Sequence, residues 1–180
     1  MKKFVIMSII TAMLLTAAGC GGGGGTPPAE EVEQVYVVDL CYIDEEYAAT
    51  GNEDIHPIRY FRNQHIYALP GKQYLTLLDV VLRDNQLGIG GTATMITDRV
   101  RFNSVEVRDG TAYVDLAGAN LSGGSLEEGL LISQIVYSLT GSFDEVERVQ
   151  FLIDGEAAET LMGHYSIEEP FEMGTYPLTI

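Results

Sequence analysis

The chain has 180 residues, with 26 Asp and Glu against 10 Lys and Arg and a formal charge of −16. Phosphate contacts need clustered cations, so nucleic-acid binding is disfavoured, as is charge-driven adhesion to anionic lipid. The length suits one domain of ordinary size around a single core.

Met1, Lys2 and Lys3 make a short cationic start, Phe4 to Leu15 an apolar run, and Ala17, Ala18 and Gly19 small residues leading to Cys20. That is the layout of a bacterial lipoprotein signal over residues 1–19, although Ala17 stands where a branched aliphatic residue is usual. The apolar run is about a dozen residues, against roughly 20 for a membrane-spanning helix, so lipid on Cys20 is the expected anchor. An ordinary secretory signal would leave Cys20 incidental. The tether that follows at once, Gly21 to Gly25 with Thr26, Pro27 and Pro28, favours lipidation. Residues 20–34 then form a flexible coil whose ends average roughly 20 Å apart. The expected location is extracytoplasmic, held to the membrane through Cys20, with a domain over residues 35–172 and a tail over residues 173–180.

Val35 to Tyr42, rich in β-branched and aromatic residues, predicts a strand, and a shorter one is expected near Ile58 to Phe61 beyond a polar loop. Cys41 lies in the first run with no second cysteine to pair once Cys20 carries lipid, so it reads as a buried, inert thiol. Tyr74, Leu77, Leu78, Val81 and Leu82 follow helical spacing, and the helix should end by Gly88. Asp109-Gly110 predicts a two-residue type I′ hairpin. Its register sets Val107 against Ala112 and Val105 against Val114 on one face, with Arg108, Thr111, Glu106 and Tyr113 on the other. Ser125 and Glu128 have capping-box spacing ahead of an apolar stripe, Ile132, Ile135, Val136 and Leu139, with Gly141 as the expected stop. Val149, Phe151 and Ile153 alternate into a strand, and Asp154-Gly155 turns into a short return segment through Leu161. The order is ββαββαβ(β). It predicts an α+β domain with a mixed or antiparallel sheet and two helices packed on one face.

Several runs carry the pattern of a known domain: the helix at Tyr74 to Leu82, Val105 to Leu116, Gln134 to Thr140, Val149 to Gly155 and Leu161 to His164. In this order they resemble the GerMN domain, over most of residues 35–171. The Gly-Pro that tends to follow the family's first helix is missing, and Ile96-Thr97-Asp98-Arg99 replaces its proline-containing entry to the hairpin. The resemblance implies an extracytoplasmic interaction module linked to sporulation and germination. Its fold is similar to small ring-building modules of envelope assemblies, and it is not known as an enzyme fold.

The residues themselves point the same way. Gly88-Ile89-Gly90-Gly91 follows a helix and lacks the Lys and Ser or Thr of a phosphate loop. His56, His65 and His164 lack zinc-helix spacing, and the acidic groups lack the alternation that wraps calcium, so no metal or other cofactor is expected. Ser125 is explained by capping, and Asp115 with Asp154 could form an acid–base pair only if folding brought them together. With ten tyrosines and no tryptophan, the amphipathic aromatic surface must be tyrosine, and Tyr113 is the candidate contact residue. The function expected is a non-enzymatic, lipid-anchored interaction module of the cell envelope, its partner an envelope protein or a second copy. The alternative is binding of a small ligand or wall glycan.

Overall fold

The structure is a computed structural model, which describes residues 31–85 and 87–174. The signal, Cys20 and most of the tether lie outside the described residues.

Two sheets are present. In the first, β1 (Gln34–Asp44) pairs antiparallel with β2 (Ile58–Ala68) on one edge and, over two residues, with β3 (Thr92–Ala93) on the other. The second has the order β4 (Phe102–Arg108), β5 (Thr111–Leu116), β6 (Arg148–Ile153), β7 (Phe171–Glu172). There β5 and β6 run parallel, which requires a crossover, and α3 (Ser125–Ser142) supplies it. A short α1 (Glu45–Thr50) follows β1. The helix α2 starts at Gln73–Leu75, continues as a π-helical stretch, Thr76–Leu82, and closes with a 3-10 turn, Arg83–Asn85.

The α+β class stands, and the second sheet is mixed. The layout differs from the one inferred in that two sheets replace one. Alternation puts Val38, Leu40 and Tyr42 of β1 in the main core with Leu77, Leu78 and Leu82 of α2. Cys41 and Ile43 point the other way and pack with Ile58 and with Leu130 and Tyr137 of α3. The stripe Ile132, Ile135, Val136 and Leu139 joins the main core with Val114, Val149 and Phe151 of the second sheet. Thus α3 serves both sheets, and most of its residues from Glu128 to Leu139 are buried whichever way they point.

Burial all round leaves polar side chains of α3 inside, and they have a use. β3 covers β1 only at Ile43 and Asp44. Farther along that edge, Gln134 donates from Nε2 to the Cys41 carbonyl at 3.0 Å. The Ser142 hydroxyl takes the Asp39 N–H and gives to the Asp39 carbonyl, both at 3.1 Å. Gln134 Oε1 also accepts the Met95 N–H at 2.8 Å, tying down the connection ahead of β4. Two turns of helix therefore stand in for a missing strand.

Local differences have local causes. Asp44 caps α1 by accepting the N–H groups of Glu46 and Tyr47 at 2.9 and 3.1 Å, turning the expected loop helical. β2 runs on past Phe61 through the polar stretch Arg62 to His65, because the Asp39 carboxylate holds a bulge there. It accepts the Asn63 N–H and pairs with Arg62, each at 3.0 Å, with Asn63 at φ 56°. The expected capping box is displaced by one residue: Glu127, not Glu128, accepts the Gly124 N–H at 3.0 Å. Helix α3 passes through Gly141 and ends at Ser142. The final strand comes from Phe171–Glu172, while the return segment through Leu161 makes only isolated bridges.

Replacing Gln134 with Leu keeps the bulk but strands the Cys41 carbonyl and the Met95 N–H. We expect a loss of about 2–4 kcal/mol in urea unfolding, against about 0.5 kcal/mol or less for Glu106→Gln on the surface. The Asp44 carboxyl is held below its ordinary range by the Tyr47 N–H and Arg59, and that of Glu127 by the Gly124 N–H and Arg99. Both contributions are full above the unfolded carboxylate range, about 4, and are lost as pH falls through the lower folded values. Thermal midpoints should therefore drop below about pH 4, and less steeply in Asp44→Asn.

Candidate interaction surface

The hairpin forms in the register read from the sequence, with Arg108 opposite Thr111, Val107 opposite Ala112, Glu106 opposite Tyr113 and Val105 opposite Val114. Asp109 and Gly110 both take positive φ, 50° and 76°, as the type I′ turn requires. Val105, Ala112 and Val114 are buried, and the other face turns outward.

Tyr113 sits at the middle of that outward face, on a strand flanked by β4 and β6. It is half-buried, with the Arg108 guanidinium 4.5 Å from its ring centroid, a cation–π contact. On the β6 side, Gln150 stands in register with Tyr113, and Arg148 in register with Thr111. Arg148 donates from Nε to Thr111 Oγ1 at 2.8 Å and reaches the Asp109 carbonyl at 3.3 Å. Gln150 is spent on the Ile167 carbonyl at 2.8 Å. An aromatic ring framed by fixed polar groups on a sheet is a rigid, amphipathic contact.

The remaining candidates have structural occupations. Asp115 accepts the Gly155 N–H at 2.8 Å, and both carboxylate oxygens of Asp154 accept the Gly118 N–H at 3.3 Å. Each ties the ends of β5 and β6 together. His56 folds back on the Ile58 carbonyl at 2.9 Å, His65 is exposed on β2, and the backbone N–H of His164 goes to Glu128. Among the described residues no three His, Cys, Asp or Glu side chains gather as a metal site. Ser125 is exposed at the start of α3. Burial pushes the Cys41 thiol well above its ordinary range, against a smaller pull from Ser138. Tyr74 is pushed up to about 12 by burial and by its hydrogen bond to Glu145.

Sequence reasoning missed two polar clasps. Glu128 is fully buried and accepts the N–H groups of Leu161, Met162 and His164 at 3.1, 2.9 and 2.9 Å, fixing the turn after β6. Its neighbour Gly129 lets the Tyr165 ring lie against the helix, since a Cβ there would stand 3.2 Å from that ring. Arg83 closes α2 onto the loop before β4 through Asp79 and the carbonyls of Thr97 and Val100, the last at 2.6 Å. Beside it lies an open cleft of about 500 Å³ lined by Asp79, Asp98, Arg101, Phe102 and Asn103. Glu128 is the second of two adjacent acids at the head of an apolar helix, and nothing in the sequence separates its role from that of Glu127. The partners of Arg83, mostly backbone carbonyls, left no signal either.

A family model described as sporulation and spore germination matches residues 35–159. Among curated proteins none matches. The fold is similar to that of the first GerMN domain of the sporulation protein GerM from Bacillus subtilis, at 11% identity and a TM-score of 0.56, covering 79% of this chain and 99% of that one. A 2.5 Å crystal structure of a Clostridium perfringens protein described as a lipoprotein is 15% identical, with a TM-score of 0.50 over 84% of this chain and 93% of that one. The tandem GerMN domains of GerM are 17% identical, with a TM-score of 0.50 over 61% of this chain, and the chain spans 40% of their length. The hairpin around Asp109-Gly110, the crossover helix and the parallel β5–β6 pair all lie within the matched residues, and the chain belongs to this sporulation and germination family of GerMN-type domains.

Proposed function

We propose that this chain is an extracytoplasmic lipoprotein, anchored through Cys20, whose domain is a non-enzymatic protein-interaction module of the cell envelope with a place in sporulation or germination. The single observation that carries the reading is the outward face of the second sheet. Tyr113 offers an aromatic surface already ordered by Arg108, on a central strand, so little side-chain freedom remains to be lost on docking. The occupations of Asp115, Asp154 and Glu128 on backbone amides support a role in holding shape over one in proton transfer. The similarity to a protein described as a lipoprotein supports the anchor.

The cleft beside Arg83 favours a second reading, a small polar ligand. Phe102 supplies an apolar wall there, and two acids and two arginines line the rest.

Cross-linking the full-length protein in its own membranes, followed by pulldown, should recover one envelope protein or a discrete oligomer. Tyr113→Glu, which charges the centre of the face, should cut recovery at least tenfold while the unfolding midpoint stays within a few degrees. Recovery of monomer alone would move the ligand reading to the front. For the anchor, Cys20→Ser should shift the protein from the membrane to the soluble fraction, and full membrane retention would contradict it.

A further inference from the structure

Four of the eight exposed large apolar side chains among the described residues gather at one place, where the chain enters the domain. Val32 and Tyr67 are 63% exposed, Val35 39% and Val37 40%. Val35 stands opposite Tyr67, and Val37 opposite His65, in the β1–β2 register, so Val35, Val37, Tyr67 and His65 share one face of a two-stranded ribbon, with Val32 just before it in the chain. The other face of the same ribbon is ordinary interior: Val38 and Ile66 join the core and Tyr36 packs against it. Farther along β1, α3 covers the exposed ribbon's continuation at Asp39 and Cys41, but the helix ends at Ser142, level with Asp39. Val35 and Val37, before that point, are left exposed.

The length of chain before this point says what meets the face. About fourteen residues separate Cys20 from the first strand, and a flexible coil of that length would average roughly 20 Å end to end. A domain of about 140 residues has a radius of gyration near 14 Å, hence a diameter of roughly 37 Å. A tether shorter on average than the body it holds turns the attachment end toward the bilayer. It also keeps the ribbon at an effective concentration of about millimolar, so a surface with feeble intrinsic affinity is still occupied. Valines and a tyrosine suit the apolar-to-polar boundary of a membrane. Glu31 and Glu33 flank the patch, which fits a zwitterionic surface better than an anionic one.

We infer that the ribbon face formed by Val35, Val37 and Tyr67 rests in the headgroup region of the bilayer to which the chain is tethered, fixing how the domain stands on the membrane. The inference rests on the lipid anchor at Cys20.

The test uses the full chain, purified from its own membranes, with intact mass reporting the lipid on Cys20. A bimane label is placed at Tyr67→Cys or, as reference, at Glu106→Cys on the second sheet, while the buried Cys41 thiol stays unlabelled. After reconstitution into phosphatidylcholine vesicles, shallow doxyl-lipid should quench the label at position 67 at least threefold more than that at 106. Adding Val35→Ser and Val37→Ser should bring the two to parity. Equal quenching at 67 and 106 in a lipidated chain overturns this inference and leaves the anchor intact, whereas a mass without lipid overturns both. A label at 67 that shifts to the blue with protein concentration, without lipid quenching, assigns the face to a second copy and also overturns it.

Discussion

The unpaired edge of β1 is the constraint around which the domain is built. From Val38 onward β1 is buried on both faces, and with β3 covering only its last two residues it leaves backbone donors and acceptors in the interior, where an unsatisfied group costs about 1–3 kcal/mol. Gln134 and Ser142, eight residues apart on α3, answer that need with side chains. Because the helix must lie where those side chains can reach Cys41 and Asp39, its apolar stripe is fixed facing the second sheet. The relation of the two sheets follows from a few polar contacts more than from the larger but less directional apolar burial.

The same device recurs around α3 and α2. Glu128 gathers three amides of the turn after β6, Gln134 holds Met95, and Arg83 holds the carbonyls of Thr97 and Val100. Long connections that would otherwise move are thus stapled to helices. What the scaffold leaves outward is limited and distinct: a polar sheet face centred on Tyr113, and an apolar ribbon at the tether. The first is the surface proposed for a docked protein, and the second the one inferred to meet a lipid surface.

Features set by neighbouring residues could be read without a structure. Asp109-Gly110 and the alternation around it agreed on one register, and that register alone put Tyr113 on the outward face. The stripe on α3 was legible for the same reason, since side-chain period and helix geometry coincide. The rest depended on partners far along the chain. Gln134 meets a carbonyl 93 residues away and Glu128 meets amides 33 to 36 residues on, so nothing beside them announces their roles. The extent of β2 was hidden because Asp39, on the partner strand, supports its polar bulge. Two sheets looked like one because β1 reads as a single alternating strand whichever helix covers each face. The expected lipid anchor and signal fall in residues outside the described structure.

Native-state hydrogen exchange on the amides of Asp39, Met95, Leu161 and Met162 tests most directly whether α3 binds the two sheets into one unit. Helix side chains, not strand partners, accept these four N–H groups. The account predicts that they exchange only with global unfolding, as slowly as the β5–β6 ladder. Exchange at loop-like rates, with that ladder still protected, would show that the clasps are incidental and that the sheets are held together by apolar packing alone.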